Sequence, residues 1–198
     1  MSAFMIMVLL LQLAAFAFSD SVTWRACQVR EPYRERFPSS GLDINATFLD
    51  LNNCNIKTLN PGAFHDFPNL DTILLSGNKF EDIDLTIFTS VTKLNSLMLS
   101  SNKFKEIPNF SEHSLPNLEK LSFANNQITT LNNSKTFSRT TQLQKLSLGF
   151  NLIEYIHPDI FKPLINLREL YLNNNKIKVI SGISFPISLK IFGLWTII

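Results

Sequence analysis

Along most of the chain, apolar residues return in one asymmetric frame, Leu-x-x-Leu-x-Leu-x-x-Asn-x-Leu. It reads LDTILLSGNKF (70–80), LNSLMLSSNKF (94–104), LEKLSFANNQI (118–128), LQKLSLGFNLI (143–153) and LRELYLNNNKI (167–177). The leading leucines stand 24, 24, 25 and 24 residues apart. A degenerate copy, ATFLDLNNCNI (46–56), precedes these five, and an incomplete one, LKIFGLWTI (189–197), follows them. The central Leu-x-Leu alternates inward and outward, so each copy predicts one short strand. Repetition at near-constant spacing stacks the strands in parallel and winds the chain into a solenoid, with the sheet on its concave face.

The polar positions follow the same frame. Asn78, Asn102, Asn126, Asn151 and Asn175 occupy its ninth place, and Cys54 takes that place in the first copy. After each strand the backbone turns without a neighbour for its polar groups, and an inward-pointing Asn supplies partners, so these residues are expected to form a structural ladder. The second half of each copy carries a different marker: Phe64, Phe88, Phe137, Phe161 and Phe185 recur at one place, a predicted buried spine behind the strands. The copy starting at Leu94 has Glu112 there instead and offers Phe110 and Leu115 nearby. Pro61, Pro108 and Pro158 punctuate these segments, which favours irregular turns over long helices.

Frame, period and Phe marker together resemble the extracellular leucine-rich-repeat family. The likeness is to the class of roughly 24 residues per repeat found in Toll-like receptor ectodomains and secreted insect immune proteins. The resemblance implies an α/β solenoid, a leucine-rich-repeat horseshoe with a parallel concave β-sheet and a loop or 3-10 convex side. It covers about residues 46–198, read as some six repeats and a truncated seventh. It implies binding without fixing the ligand, since such folds take proteins, glycans, lipids and nucleic acids. Members usually carry cysteine-bearing caps at both ends. Here segment 20–45 is read as an N-terminal cap with Cys27, and no C-terminal cysteine cap follows the repeats.

Composition narrows the setting. Residues 1–19 hold no charged side chain, contain the apolar run Phe4–Leu11 and end in small residues. They are read as a secretory signal, with Ala17 and Ser19 before the cleavage point. No membrane span is expected once the signal is removed. In an oxidising compartment Cys27 and Cys54 can pair; the alternative is a buried Cys54 thiol with Cys27 free or joined to another chain. Asn45-Ala46-Thr47, Asn109-Phe110-Ser111 and Asn132-Asn133-Ser134 are then candidate N-glycosylation acceptors. Eighteen basic and 16 acidic side chains leave a net charge of +2, which disfavours nucleic acid as a partner.

Catalytic chemistry finds no support. His65, His113 and His157 fall in different turns about two repeats apart and cannot meet on one metal. His157-Pro158-Asp159 aligns with Asn60-Pro61-Gly62 and reads as repeat punctuation. No nucleotide or nucleophile fingerprint occurs, so no enzyme activity, cofactor or metal is expected.

Candidate binding residues are the outward strand positions. Leu74, Met98, Lys120, Lys145, Phe150, Glu169 and Tyr171 fall on the concave face. The expected partner is an extracellular protein or microbial ligand, and the expected role is recognition, which the resemblance places in innate defence. An alternative reading is a truncated receptor or matrix fragment acting as an assembly piece or decoy. Its open, apolar C-terminal end, Trp195-Thr196-Ile197-Ile198, would then meet a second leucine-rich-repeat chain.

Overall fold

A computed structural model describes residues 23–25, 45–113 and 115–194. The chain forms a β-solenoid. Eight strands make one parallel sheet: β1 (Thr23–Arg25), β2 (Phe48–Asp50), β3 (Thr72–Leu74), β4 (Ser96–Met98), β5 (Lys120–Ser122), β7 (Lys145–Ser147), β9 (Glu169–Tyr171) and β10 (Ile191–Gly193). A separate two-stranded sheet pairs β6 (Thr130–Leu131) with β8 (Tyr155–Ile156). The register equals the repeat period, so Thr72 faces Ser96, Ser96 faces Lys120, and Lys120 faces Lys145. Every column of the sheet is therefore one position of the sequence frame.

The alternation of the frame decides which side is core. Ile73, Leu97, Leu121, Leu146 and Leu170 in the middle of their strands are buried, as are Leu75, Leu99, Phe123, Leu148 and Leu172 two places on. Behind them the Phe residues pair across repeats. Phe64 stacks on Phe88 with centroids 5.5 Å apart, and Phe161 stacks on Phe185 at 5.9 Å. Phe110 is fully buried and stacks on Phe137 at 6.2 Å, filling the space that Glu112 leaves. Fully burying such a side chain is worth about 1.5–3 kcal/mol, so the spine is a main source of cohesion between turns.

The convex side is built from turns and, among the described residues, one 3-10 helix, Leu85–Phe88. Asp84 caps it by accepting a hydrogen bond from the Thr86 N–H at 2.9 Å. The single extra residue of the 25-residue repeat lies between Leu131 and Phe137. Both sheets keep a 25-residue register before it, Lys120 to Lys145 and Thr130 to Tyr155. The insertion thus falls in a turn and leaves the strands in line.

Strand β1 was not expected from the repeat frame. It extends the sheet by pairing Thr23, Trp24 and Arg25 with Phe48, Leu49 and Asp50. Residues 1–22 and most of the cap, 26–44, lie outside the described residues, as do Ser114 and Trp195–Ile198.

Candidate functional site

The Asn residues at the ninth position are buried, and their amides tie consecutive turns together. Asn126 donates from Nδ2 to the carbonyls of Leu99 and Phe123, both at 3.0 Å, and its Oδ1 accepts from the Phe104 N–H at 3.1 Å. Asn102, Asn151 and Asn175 repeat this pattern one turn along. Asn78 does more, because its Oδ1 accepts from both Cys54 and Ile56 N–H groups at 3.0 Å. This ladder fixes the turn immediately after each strand and so sets the rim of the concave face.

That turn has a demanding backbone. The eighth position is left-handed in all six repeats: Asn53 (φ 56), Gly77 (φ 70), Ser101 (φ 55), Asn125 (φ 56), Phe150 (φ 55) and Asn174 (φ 55). The conformation is needed because the N–H there donates to the next turn, as from Phe150 to the Asn173 carbonyl at 2.8 Å. Gly and Asn accept it readily, whereas an aromatic residue pays a steric penalty. Phe150 nevertheless occupies it and is 55% exposed.

Beside Phe150 the concave floor is made of small side chains. Ser122 and Ser147 stand in the fifth-position column, and Ser100, Ala124 and Gly149 in the seventh. A Cβ on Gly149 would lie 2.7 Å from the Asn173 Oδ1, so a larger residue here would have to turn that amide aside. Ser100 and Ser122 share a hydrogen bond of 2.7 Å. Met98 and Tyr171 stand at the two ends of this floor, three strand intervals or roughly 14 Å apart.

The opposite rim is charged. Lys145 Nζ lies 2.8 Å from Glu169 Oε2, and the Tyr171 hydroxyl donates to the same oxygen at 3.1 Å. The Lys145 ammonium also sits 5.2 Å from the centre of the Tyr171 ring. The hydrogen bond from Lys145 is the main reason the Glu169 carboxyl is held below its usual range, and the same bond raises Lys145. Lys120 is exposed and faces Lys145 directly across the sheet.

Among the residues named from the frame, Lys120, Lys145, Glu169 and Tyr171 thus form one cluster on three adjacent strands, with Phe150 across the floor from it. Leu74 and Met98 are half-buried at the other end of the face. The clustering of Lys145, Glu169 and Tyr171 escaped sequence reasoning, although their frame positions made them neighbours. The left-handed eighth position escaped it too. Its signal was present as a column of Asn, Gly and Ser broken by one Phe.

Other features lie off this face. A groove of about 960 Å³ runs along the flank past Lys79, Glu81, Asp82, Lys103, Glu106 and Asn109, where opposite charges alternate. Farther along the same flank Leu152 (39%), Tyr155 (51%) and Val179 (66%) are exposed. Asn45 and Asn132 are exposed, whereas Asn109 is half-buried and donates from Nδ2 to Glu112 at 3.1 Å. Cys54 is disulfide-bonded; Cys27 is the sequence's other cysteine and lies outside the described residues. At the last strand Phe192 is 37% exposed, and the terminal residues expected to form an open edge lie outside the described residues. Among the described residues no group of three His, Cys, Asp or Glu is placed to hold a metal ion, and no helix is long and apolar enough to cross a membrane.

Comparison with known proteins fits this geometry. A family model for the leucine-rich repeat matches residues 45–80, 92–153 and 141–186. No curated protein matches the chain. Among solved structures, a leucine-rich-repeat protein of Leptospira interrogans is 25% identical with a TM-score of 0.53, covering 74% of this chain and 42% of that one. The Toll–Spatzle complex of Drosophila superposes with a TM-score of 0.65 at 24% identity, over 74% of this chain and 21% of that one. The chain thus spans less than half the length of either.

Proposed function

Since this chain belongs to the leucine-rich-repeat family, we propose that it is a secreted recognition module that binds an extracellular protein or microbial ligand on its concave face, in a defensive role. The observation that carries the reading is Phe150. A half-exposed aromatic side chain holds a left-handed backbone that five other repeats give to Asn, Gly or Ser. It contributes little to the core there, and a locally unfavourable residue at a rim is a signature of a functional surface. The small floor beside it leaves room for a ligand side chain between Met98 and Tyr171.

Secretion is supported by the apolar leader and by the disulfide at Cys54, a bond that persists in oxidising compartments. We assign its partner as Cys27, two residues beyond β1 in the sequence. Glycans at Asn45 and Asn132 fit the same setting, both side chains being exposed. The defensive role rests on the likeness of the 24-residue, Phe-marked repeat to extracellular immune proteins.

The test is capture. Immobilised protein is exposed to extracellular fluid, and bound species are identified by mass spectrometry. Leu74→Asp, Met98→Asp and Tyr171→Asp together should abolish capture while secretion and the circular dichroism spectrum stay unchanged. Undiminished capture by the correctly folded triple variant removes the concave-face reading.

A further inference from the structure

We infer that the ligand presents an acidic polypeptide segment with an aromatic or aliphatic side chain a few residues away, the acid seated over Lys120 and Lys145 and the apolar group against Phe150. This rests on the concave-face reading and adds the chemistry of the partner.

Charge along the face is graded. Over the strands and rims of the first three repeats the ionisable residues are Asp50 and Asp71, with Arg25 of β1 set beside Asp50 in register. Over the remaining repeats they are Lys120, Lys145, Arg168 and Lys190 against Glu119 and Glu169. The later half is thus positive and the earlier half is not.

The positive half also sets two like charges side by side. Lys120 and Lys145 are register partners on adjacent strands, an arrangement that disfavours the sheet locally. Glu169 pairs directly with Lys145, at 2.8 Å, and gives part of its capacity to the Tyr171 hydroxyl, so Lys120 feels its charge only at longer range. Among the described residues Lys120, Arg168 and Lys190 make no ion pair within 4.0 Å. A carboxylate placed above the two lysines would relieve their repulsion and gain charge-assisted hydrogen bonds.

The geometry then sets the spacing. Lys145 and Phe150 belong to one repeat and stand five residues apart, at most about 16 Å along extended chain. A bound segment therefore needs an acidic residue and an apolar one separated by about four to six positions if it is extended. A polyanion fits less well. Glu119 and Glu169 interrupt the cationic row, and nucleic acids or sulfated glycans draw affinity from uninterrupted phosphate or sulfate contacts.

The experiment selects binders from a phage-displayed library of random twelve-residue peptides on the full chain. Representative peptides are then titrated by fluorescence polarisation against wild type, Lys120→Glu and Phe150→Ser, with heparin and poly(U) as separate probes. Lys120→Glu gains a partner in Lys145 and should melt at or above the wild-type temperature, so lost binding cannot be ascribed to unfolding. The expected result is enrichment of Asp or Glu four to six places from an aromatic or aliphatic residue, with at least about tenfold weaker binding to each variant. Peptides that lose binding to Phe150→Ser but not to Lys120→Glu overturn the acidic-partner inference and leave the concave-face reading standing. Peptides indifferent to both variants overturn the two together. Heparin or poly(U) binding that Lys120→Glu abolishes, with no peptide selected, replaces the acidic segment by a polyanion. No binding by any probe overturns the inference.

Discussion

Removing rungs of the Asn ladder should destabilise the protein in a specific order, Asn78→Ala more than Asn126→Ala. Each sixth-position carbonyl inside the array accepts two amides, one from its own turn and one from the next. The Leu99 carbonyl, for example, receives Asn102 at 3.2 Å and Asn126 at 3.0 Å. The Phe123 carbonyl likewise receives Asn126 and Asn151. Asn126→Ala therefore leaves both carbonyls with one partner and strips only the Phe104 N–H of its acceptor. An orphaned buried N–H costs about 1–3 kcal/mol and each halved carbonyl about 0.5–1 kcal/mol, giving roughly 3 kcal/mol in all.

At the first rung the redundancy is missing. Cys54 takes the place of an Asn, so the amide from Asn78 at 2.8 Å is the one such donor to the Leu51 carbonyl among the described residues. Its Oδ1 also serves two N–H groups, those of Cys54 and Ile56. Asn78→Ala orphans the buried Ile56 N–H and that carbonyl, halves the Leu75 carbonyl and leaves the half-buried Cys54 N–H to water, for about 4–6 kcal/mol by the same scale. That is a large share of the 5–15 kcal/mol typical of a folded chain. Urea unfolding followed by far-ultraviolet circular dichroism, with the disulfide intact and a shared m-value, measures both. An equal or smaller loss at Asn78, or a loss under about 1 kcal/mol at Asn126, would refute the accounting of shared carbonyls.

Other consequences are simpler to state. Phe110→Ala should cost about 3–5 kcal/mol, as for a fully buried aromatic, whereas Glu112→Phe should not raise the melting temperature, because Phe110 already occupies the spine beside Phe137. Phe150→Asn should leave stability within about 1 kcal/mol of wild type, relief of backbone strain offsetting the lost contacts of a half-exposed ring, yet abolish ligand capture; a loss above about 2 kcal/mol would make Phe150 a core residue. Glu169, lowered by Lys145, contributes above its ordinary value of about 4.3 and loses that contribution as pH falls through its lowered pKa. Lys145, raised by Glu169, contributes below its ordinary value of about 10.4 and loses it as pH rises through the raised one. The pair should thus stay intact from about pH 5 to pH 10, and carboxyl-carbon NMR of Glu169 should show a midpoint below 4.3; one at or above it would mean that Lys145 does not hold the carboxylate.

How much of this was legible in the sequence follows from where a residue's constraint comes from. Leu97 and Leu121 must point inward in every turn, so period and alternation alone place them in adjacent strands. The same logic places Thr72 opposite Ser96, because a parallel register equal to the repeat is the one way such turns stack. Strand β1 carries no copy of the frame, and nothing periodic marks it. Sheet β6–β8 depends on Thr130 and Tyr155 falling in register in one pair of repeats, a coincidence of two turns that no single repeat encodes. Phe110 replaces Glu112 by reaching the same cavity from two residues earlier, and a frame that counts positions cannot register a shift made in space.

The candidate site is harder to read for a related reason. Its members are departures from the repeat, and a departure has meaning only against a known local geometry. Frame position alone already marks Phe150 as a candidate, but only the left-handed eighth position, seen in all six described repeats, makes it the residue least suited to its backbone. Lys120 and Lys145 are likewise named from the frame, and the register adds that they stand face to face. In a repeat protein the shared positions are spent on stacking one turn upon the next, and a residue that fits its own turn badly gains nothing from that stacking. Lys145 is answered within the chain by Glu169 and the Tyr171 ring, whereas the Phe150 ring and Lys120 remain exposed and open to a partner. Phe150 and the Lys120–Lys145 pair lie on opposite rims of the same floor, so one ligand spanning that floor would satisfy both misfits at once.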